Sequence, residues 1–95
     1  MASSSKQVDA VFRALGNKRR REIVQLVMRG VGAPSAIARE FDCTWPAISR
    51  HLRILTDAKV LEAKDQKDGG KRQVYAVNHP ALASATGWLR EVGKK

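Results

Sequence analysis

The chain predicts a mainly helical α+β domain of winged helix-turn-helix type, with about five helices and a two-stranded β-hairpin wing. Three observations carry that prediction. Ser35–Leu55 (SAIAREFDCTWPAISRHLRIL) has the pattern of two short helices joined by a tight turn, the second with basic and hydroxyl side chains on one face. Val60–Val77 follows at once as a hairpin whose turn region, Lys67–Arg72 (KDGGKR), combines glycine with flanking cations. The formal charge of +9 and a pI near 10.5 favour a polyanionic partner. Each signal alone is weak. In sequence, they describe a groove-reading helix followed by a basic wing.

The elements can be justified in order. Residues 1–7 (MASSSKQ) lack an apolar run and are expected to fray. Val8, Val11, Phe12 and Leu15 recur at i, i+3, i+4 and i+7, the apolar face of a first helix. Gly16-Asn17 ends it, and Asn17 caps a second helix from Lys18 to about Arg29 with a core face of Ile23, Val24, Val27 and Met28. Lys18–Arg21 (KRRR) places four cations in the first turn of that helix, where they oppose the macrodipole. The local cost implies that they meet something negative. Pro34 suits the first turn of a third helix, with Ile37, Ala38 and Phe41 facing inward. Asp42-Cys43-Thr44 forms the turn, and Thr44 caps the recognition helix, which Ile48, Leu52 and Leu55 anchor to the core. Val60–Ala63 and Gln73–Val77 are the strands, and Asp68-Gly69-Gly70 supplies the positive-φ residues of the tip. Asn78 caps a last helix carrying Leu82, Ala85, Leu89 and Val92, with Trp88 beside them. Residues 1–95 are therefore expected to form a single domain.

With Ile48 turned inward, Thr44, Trp45, Pro46, Ser49, Arg50 and Arg53 point outward together. Arginine can take guanine O6 and N7 bidentately, and Ser or Thr can bond a base edge or a phosphate. Arg50 is the candidate base reader and Arg53 a phosphate contact. Trp45 has two readings, a contact to sugar or thymine methyl and a surface aromatic closing the core edge. Lys67, Lys71 and Arg72 on the wing, with Lys18, Arg19 and Arg20, are the candidate backbone contacts. His51, beside Leu52, reads as a packed, hydrogen-bonded histidine, and His79 as a helix-start residue. Two apolar faces, Val8/Val11/Phe12/Leu15 and Leu82/Ala85/Leu89/Val92, exceed the needs of one small core and are expected to build a homodimer.

Other function classes lack their signatures. One cysteine excludes an intramolecular disulfide and fits a reducing compartment. Cys43 has no CxC or CxxC partner, so no metal or other cofactor site is expected within one chain; a site shared between subunits stays open. No phosphate loop, nucleophile elbow or catalytic carboxylate pair is present, so the chain does not read as an enzyme. No apolar run of about 18 residues exists, so no membrane span is expected and the protein is placed in the cytoplasm, on the chromosome.

FRALGNKRRREIVQLV (Phe12–Val27), SAIAREF (Ser35–Phe41), PAISRHLRILTDAKVLEAK (Pro46–Lys64) and KRQVYAVN (Lys71–Asn78) together resemble the ArsR/SmtB-like winged-helix regulators. The resemblance spans about Val8 to Val92. It implies a homodimer through the first and last helices and repression by occupying an operator in double-stranded DNA. It also implies groove reading by Thr44, Trp45, Ser49 and Arg50, with the wing on phosphate or the minor groove. This chain lacks the cysteine-rich segment of some members. Of the acid/histidine set on the last helix only Glu91 remains, and Lys59 stands where glycine is frequent. The effector is unknown from sequence. The alternatives are a sequence-independent nucleic-acid-binding or architectural protein, and a winged helix that binds only protein.

Overall fold

Helical apolar spacing, asparagine and threonine caps and a glycine-poor strand pair sort the chain into five helices and one hairpin. The structure, a computed structural model, describes residues 5–65 and 73–94. The order is α1 (Ser5–Leu15), α2 (Lys18–Met28), α3 (Pro34–Arg39), α4 (Trp45–Asp57), β1 (Leu61–Asp65), β2 (Gln73–Val77) and α5 (His79–Val92). The predicted winged helix-turn-helix is thus present, with α3 and α4 as the helix-turn-helix. Helix α1 takes in Ser5, Lys6 and Gln7, which were expected to fray. Gln7 is tied down, its Nε2 donating to the Ala58 carbonyl at 3.3 Å.

The caps form as the residue types dictate. The side chains of Asn17, Thr44 and Asn78 accept from the amides of Arg20, Ala47 and Ala81, at the starts of α2, α4 and α5. Helices α2 and α4 end in the same way. After α2, Gly30 at φ 101° donates to the Val27 carbonyl and Val31 to that of Leu26. After α4, Lys59 at φ 67° donates to the Thr56 carbonyl and Val60 to that of Leu55. Both are Schellman motifs with a left-handed residue just past the helix, glycine in one and lysine in the other.

One core runs through the elements: Val11 and Ala14 of α1, Ile23 and Val27 of α2, Ile37 of α3, Ile48, Leu52 and Leu55 of α4, then Val60, Leu61 and Ala85. Full burial of each large side chain contributes roughly 2 kcal/mol. Met28 does not join them and is 63% exposed. It lies one residue, about 100° of helix, past Val27, which already centres the buried stripe. The strands pair antiparallel from Leu61↔Val77 to Asp65↔Gln73. On the other edge of β2, Tyr75 N–H donates to the Gly32 carbonyl at 2.8 Å. A Cβ at Gly32 would stand 2.6 Å from the Tyr75 carbonyl oxygen, so only glycine fits there.

Candidate nucleic-acid interface

The buried stripe of α4 decides what its other side presents. Ile48, Leu52 and Leu55 are at most 2% exposed, and the opposite face carries Thr44, Trp45, Pro46, Ser49, Arg50 and Arg53, all exposed. Trp45 keeps half of its surface exposed, at 50%. Its ring borders an open groove of about 870 Å³ with Pro34, Ala38, Arg39 and Gln73. Arg39, in the last turn of α3, extends the basic surface, and only its position at a helix end could have marked it in the sequence. The first turn of α4 holds no acidic residue to offset the positive end of its dipole, and Thr44 caps the Ala47 amide there. Among the described residues no ion pair or hydrogen bond engages the guanidinium of Arg50 or Arg53.

The basic start of α2 differs. Arg20, expected to meet a phosphate, folds back onto the end of α1: Nε donates to the Ala14 carbonyl at 2.6 Å and Nη2 to that of Arg13 at 3.2 Å. Arg21 Nη1 donates to the Leu15 carbonyl at 2.7 Å. The carbonyls of a helix's last turn lack α-helical partners and carry its negative dipole end, so these cations meet them, although the Arg13 carbonyl also accepts the Gly16 amide at 3.3 Å. Arg19 pairs with Glu22 at 3.2 Å and lies 4.7 Å from the ring centre of Phe41. Lys18 alone of the expected backbone cations on α2 is both exposed and without a described ion pair.

His51 is half-buried, as a packed histidine should be, and its Nδ1 lies 3.4 Å from Arg20 Nη1. A guanidinium can only donate, so Nδ1 accepts and the ring proton sits on Nε2. Burial, then the charges of Arg20, Arg19 and Arg50, hold the imidazole pKa below its ordinary value. His79 begins α5. Cys43 is a half-buried free thiol packed against the core, and among the described residues no three His, Cys, Asp or Glu converge as a metal would need. Lys67, Lys71 and Arg72 lie outside the described residues.

The residues expected to form a subunit interface divide. Val11 and Ala85 are buried within the one chain, at 0% and 5%, and offer little surface to a partner. Both belong to the core cluster of the single chain, in which α1 packs on α5. Val8, Phe12, Leu15 and Leu82 are half-buried. Leu89 and Val92 are 54% and 56% exposed, beside Trp88, whose ring meets Phe12 edge-on at 5.5 Å. Among the described residues no helix is long and apolar enough to cross a membrane.

The family model described as bacterial regulatory protein, arsR family, matches residues 17–62, from the cap of α2 into β1. The transcriptional repressor SdpR of Bacillus subtilis is 33% identical over 79 residues, covering 83% of this chain and 84% of that protein. The chain belongs to the ArsR family. The crystal structure of the ArsR family transcriptional regulator RHA00566 superposes with a TM-score of 0.83 at 26% identity, covering 99% of this chain and 94% of the other. The homodimeric winged helix-turn-helix DNA-binding domain Mb0332 from Mycobacterium bovis gives 0.71 at 29%, covering 98% and 90%. As an ArsR-family member the chain is a DNA-binding transcriptional regulator with a winged helix-turn-helix.

Proposed function

We propose that this ArsR-family regulator is a homodimeric repressor that occupies a two-fold-symmetric operator and reads it with α4. The carrying observation is the outward face of α4, where the Ser49 hydroxyl, the Trp45 ring and the guanidiniums of Arg50 and Arg53 stand exposed together, with no ion pair or hydrogen bond to either guanidinium among the described residues, beside the capping Thr44. In the proposed complex Arg50 reads a base, Thr44 and Ser49 bond base edges or phosphates, and Trp45 and Pro46 pack on sugar or a thymine methyl. Arg53, Lys18 and Arg19 meet the backbone, and Lys67, Lys71 and Arg72 of the wing meet phosphate or the minor groove. Leu89, Val92 and Trp88, apolar and exposed on the α1–α5 side, support a second copy there. That arrangement would set two recognition helices about 34 Å apart, one turn of duplex. Mb0332 is described as homodimeric and SdpR as a repressor, which favours the same assembly and direction here. The protein would then work in the cytoplasm, on the chromosome.

Light scattering at micromolar concentration should give twice the chain mass. Selection from a random-sequence duplex pool should return an imperfect palindrome that scrambled duplex competes for poorly. A monomer that binds every duplex alike would instead identify a sequence-independent architectural protein.

A further inference from the structure

Helix α4 is fastened to α1 at two places. At its C-terminal end, Gln7 of α1 donates to the carbonyl of Ala58, the cap of α4. Near its middle the fastening runs through Arg20. That guanidinium is held by two carbonyls of the last turn of α1, those of Arg13 and Ala14, and its remaining arm reaches His51 Nδ1. His51 immediately follows Arg50 and lies two residues before Arg53. Whatever fixes the roll of α4 at His51 therefore fixes the direction in which Arg50 leaves the helix.

The magnitudes make this matter. Side-chain positions stand roughly 5–6 Å from a helix axis, so a roll of about 10° moves them by about 1 Å. A bidentate contact to a base edge needs its donors within a few tenths of an ångström, whereas a phosphate met by a mobile cation does not.

We propose that Arg20 is a positioning residue: bridging the end of α1 to His51, it sets the roll of α4 and so sharpens discrimination between base sequences without touching DNA. The proposal rests on α4 being the reading helix of the operator complex. It accounts for an arginine that a basic run alone would assign to the phosphates.

The test measures affinity for two probes across a salt series: the duplex that wild-type protein selects from a random pool, and its scrambled counterpart. The variants are Arg20→Gln, His51→Ala, His51→Asn and the Arg20→Gln/His51→Ala double variant. Arg20→Gln and His51→Ala should each lower the selected-to-scrambled affinity ratio, on the order of tenfold, and the double variant should lose little more than either alone. His51→Asn should restore the ratio, because its Oδ1 can accept where Nδ1 did. Affinity for scrambled duplex and its salt slope should stay at wild-type values. A salt slope reduced by about one unit in Arg20→Gln, with the ratio intact, would make Arg20 a phosphate contact and overturn the proposal. If Arg20→Gln fails to fold by circular dichroism, the two His51 variants decide, since both leave the carbonyl bonds in place; an unchanged ratio in His51→Ala overturns it. A wild-type protein without any duplex preference overturns the operator reading itself, an outcome distinct from preference retained in the variants.

Discussion

Arginine occurs in quick succession at the start of α2 and again along α4, and the two groups behave in opposite ways. At α2 the guanidiniums of Arg20 and Arg21 are turned back onto the last carbonyls of α1, and Arg19 is shared between Glu22 and the face of Phe41. On α4 Arg50 and Arg53 are exposed, and no partner among the described residues takes them up. The residue type is the same and the helical setting similar. What differs is the acceptor supply: only two residues separate α2 from the carbonyl end of α1, while α4 begins after a longer turn and its Arg-bearing face meets solvent. Positive charge in a sequence therefore locates a partner only after the chain's own acceptors have been subtracted.

Stability gives the largest expected contrast. Arg20→Ala removes the donors from two backbone carbonyls and from His51, and should lower unfolding free energy by roughly 2–3 kcal/mol. Arg50→Ala and Arg53→Ala, on an exposed face, should each change it by less than about 0.5 kcal/mol. Denaturant midpoints of the three variants measure this directly, and equal losses at Arg20 and Arg50 would erase the distinction between the two regions.

Affinity should show the reverse order at Arg50. Losing a bidentate base contact there should weaken the selected duplex by about 1–3 kcal/mol and relax preference at one base pair in each half-site. Lys71→Ala, if that lysine meets phosphate as proposed, should weaken selected and scrambled duplexes alike and reduce the salt slope by about one unit. Should Arg50→Ala weaken both duplexes equally and leave base preference intact, the reading residue is another one.

Helix faces, caps and strand positions were legible in the sequence because each is a local matter. Asn17, Thr44 and Asn78 cap through their own next turn, and the stripe Ile48, Leu52, Leu55 needs only the helical period. The outward set on α4 followed from that stripe. Arg20 was not legible, because its acceptors belong to the preceding helix and the geometry of the Gly16-Asn17 junction decides whether it can reach them. Val11 and Ala85 lie on the faces expected for an interface, yet both are buried in the core of the one chain. Periodicity identifies a buried face without saying which neighbour buries it.

A smaller effect is expected at the paired helix ends. Gly30 and Lys59 occupy the same left-handed position of the same motif, but only lysine carries a Cβ that resists φ 67°. Lys59→Gly should relieve that strain, partly offset by the added freedom of glycine in the unfolded chain, for a gain of about 0.5–1 kcal/mol. A midpoint that falls on this change would mean that the lysine side chain supplies more than the strain removes.

The last effect is confined to acid and concerns the joint between the two arginine groups. His51 is faced by Arg20 and Arg19 from α2 and by Arg50 on its own helix, and α1 offers it no carboxylate among the described contacts. Burial first, and then these charges, depress its pKa below the ordinary value near 6.5. In the unfolded chain the imidazole protonates at that ordinary value, while in the folded chain it resists. Between the two values the unfolded state therefore binds more protons, and stability must rise with pH. The contribution is complete above about pH 6.5 and is lost as pH falls through the depressed folded-state value. The hydrogen bond from Arg20 has the same sign, because a protonated Nδ1 can no longer accept it. Melting temperature of the DNA-free protein should accordingly drop between pH 7 and pH 5, and His51→Asn, which accepts but does not titrate, should flatten that drop. Identical pH profiles for the two proteins would place the acid sensitivity among the carboxylates and leave the Arg20–His51 contact without a titrating role.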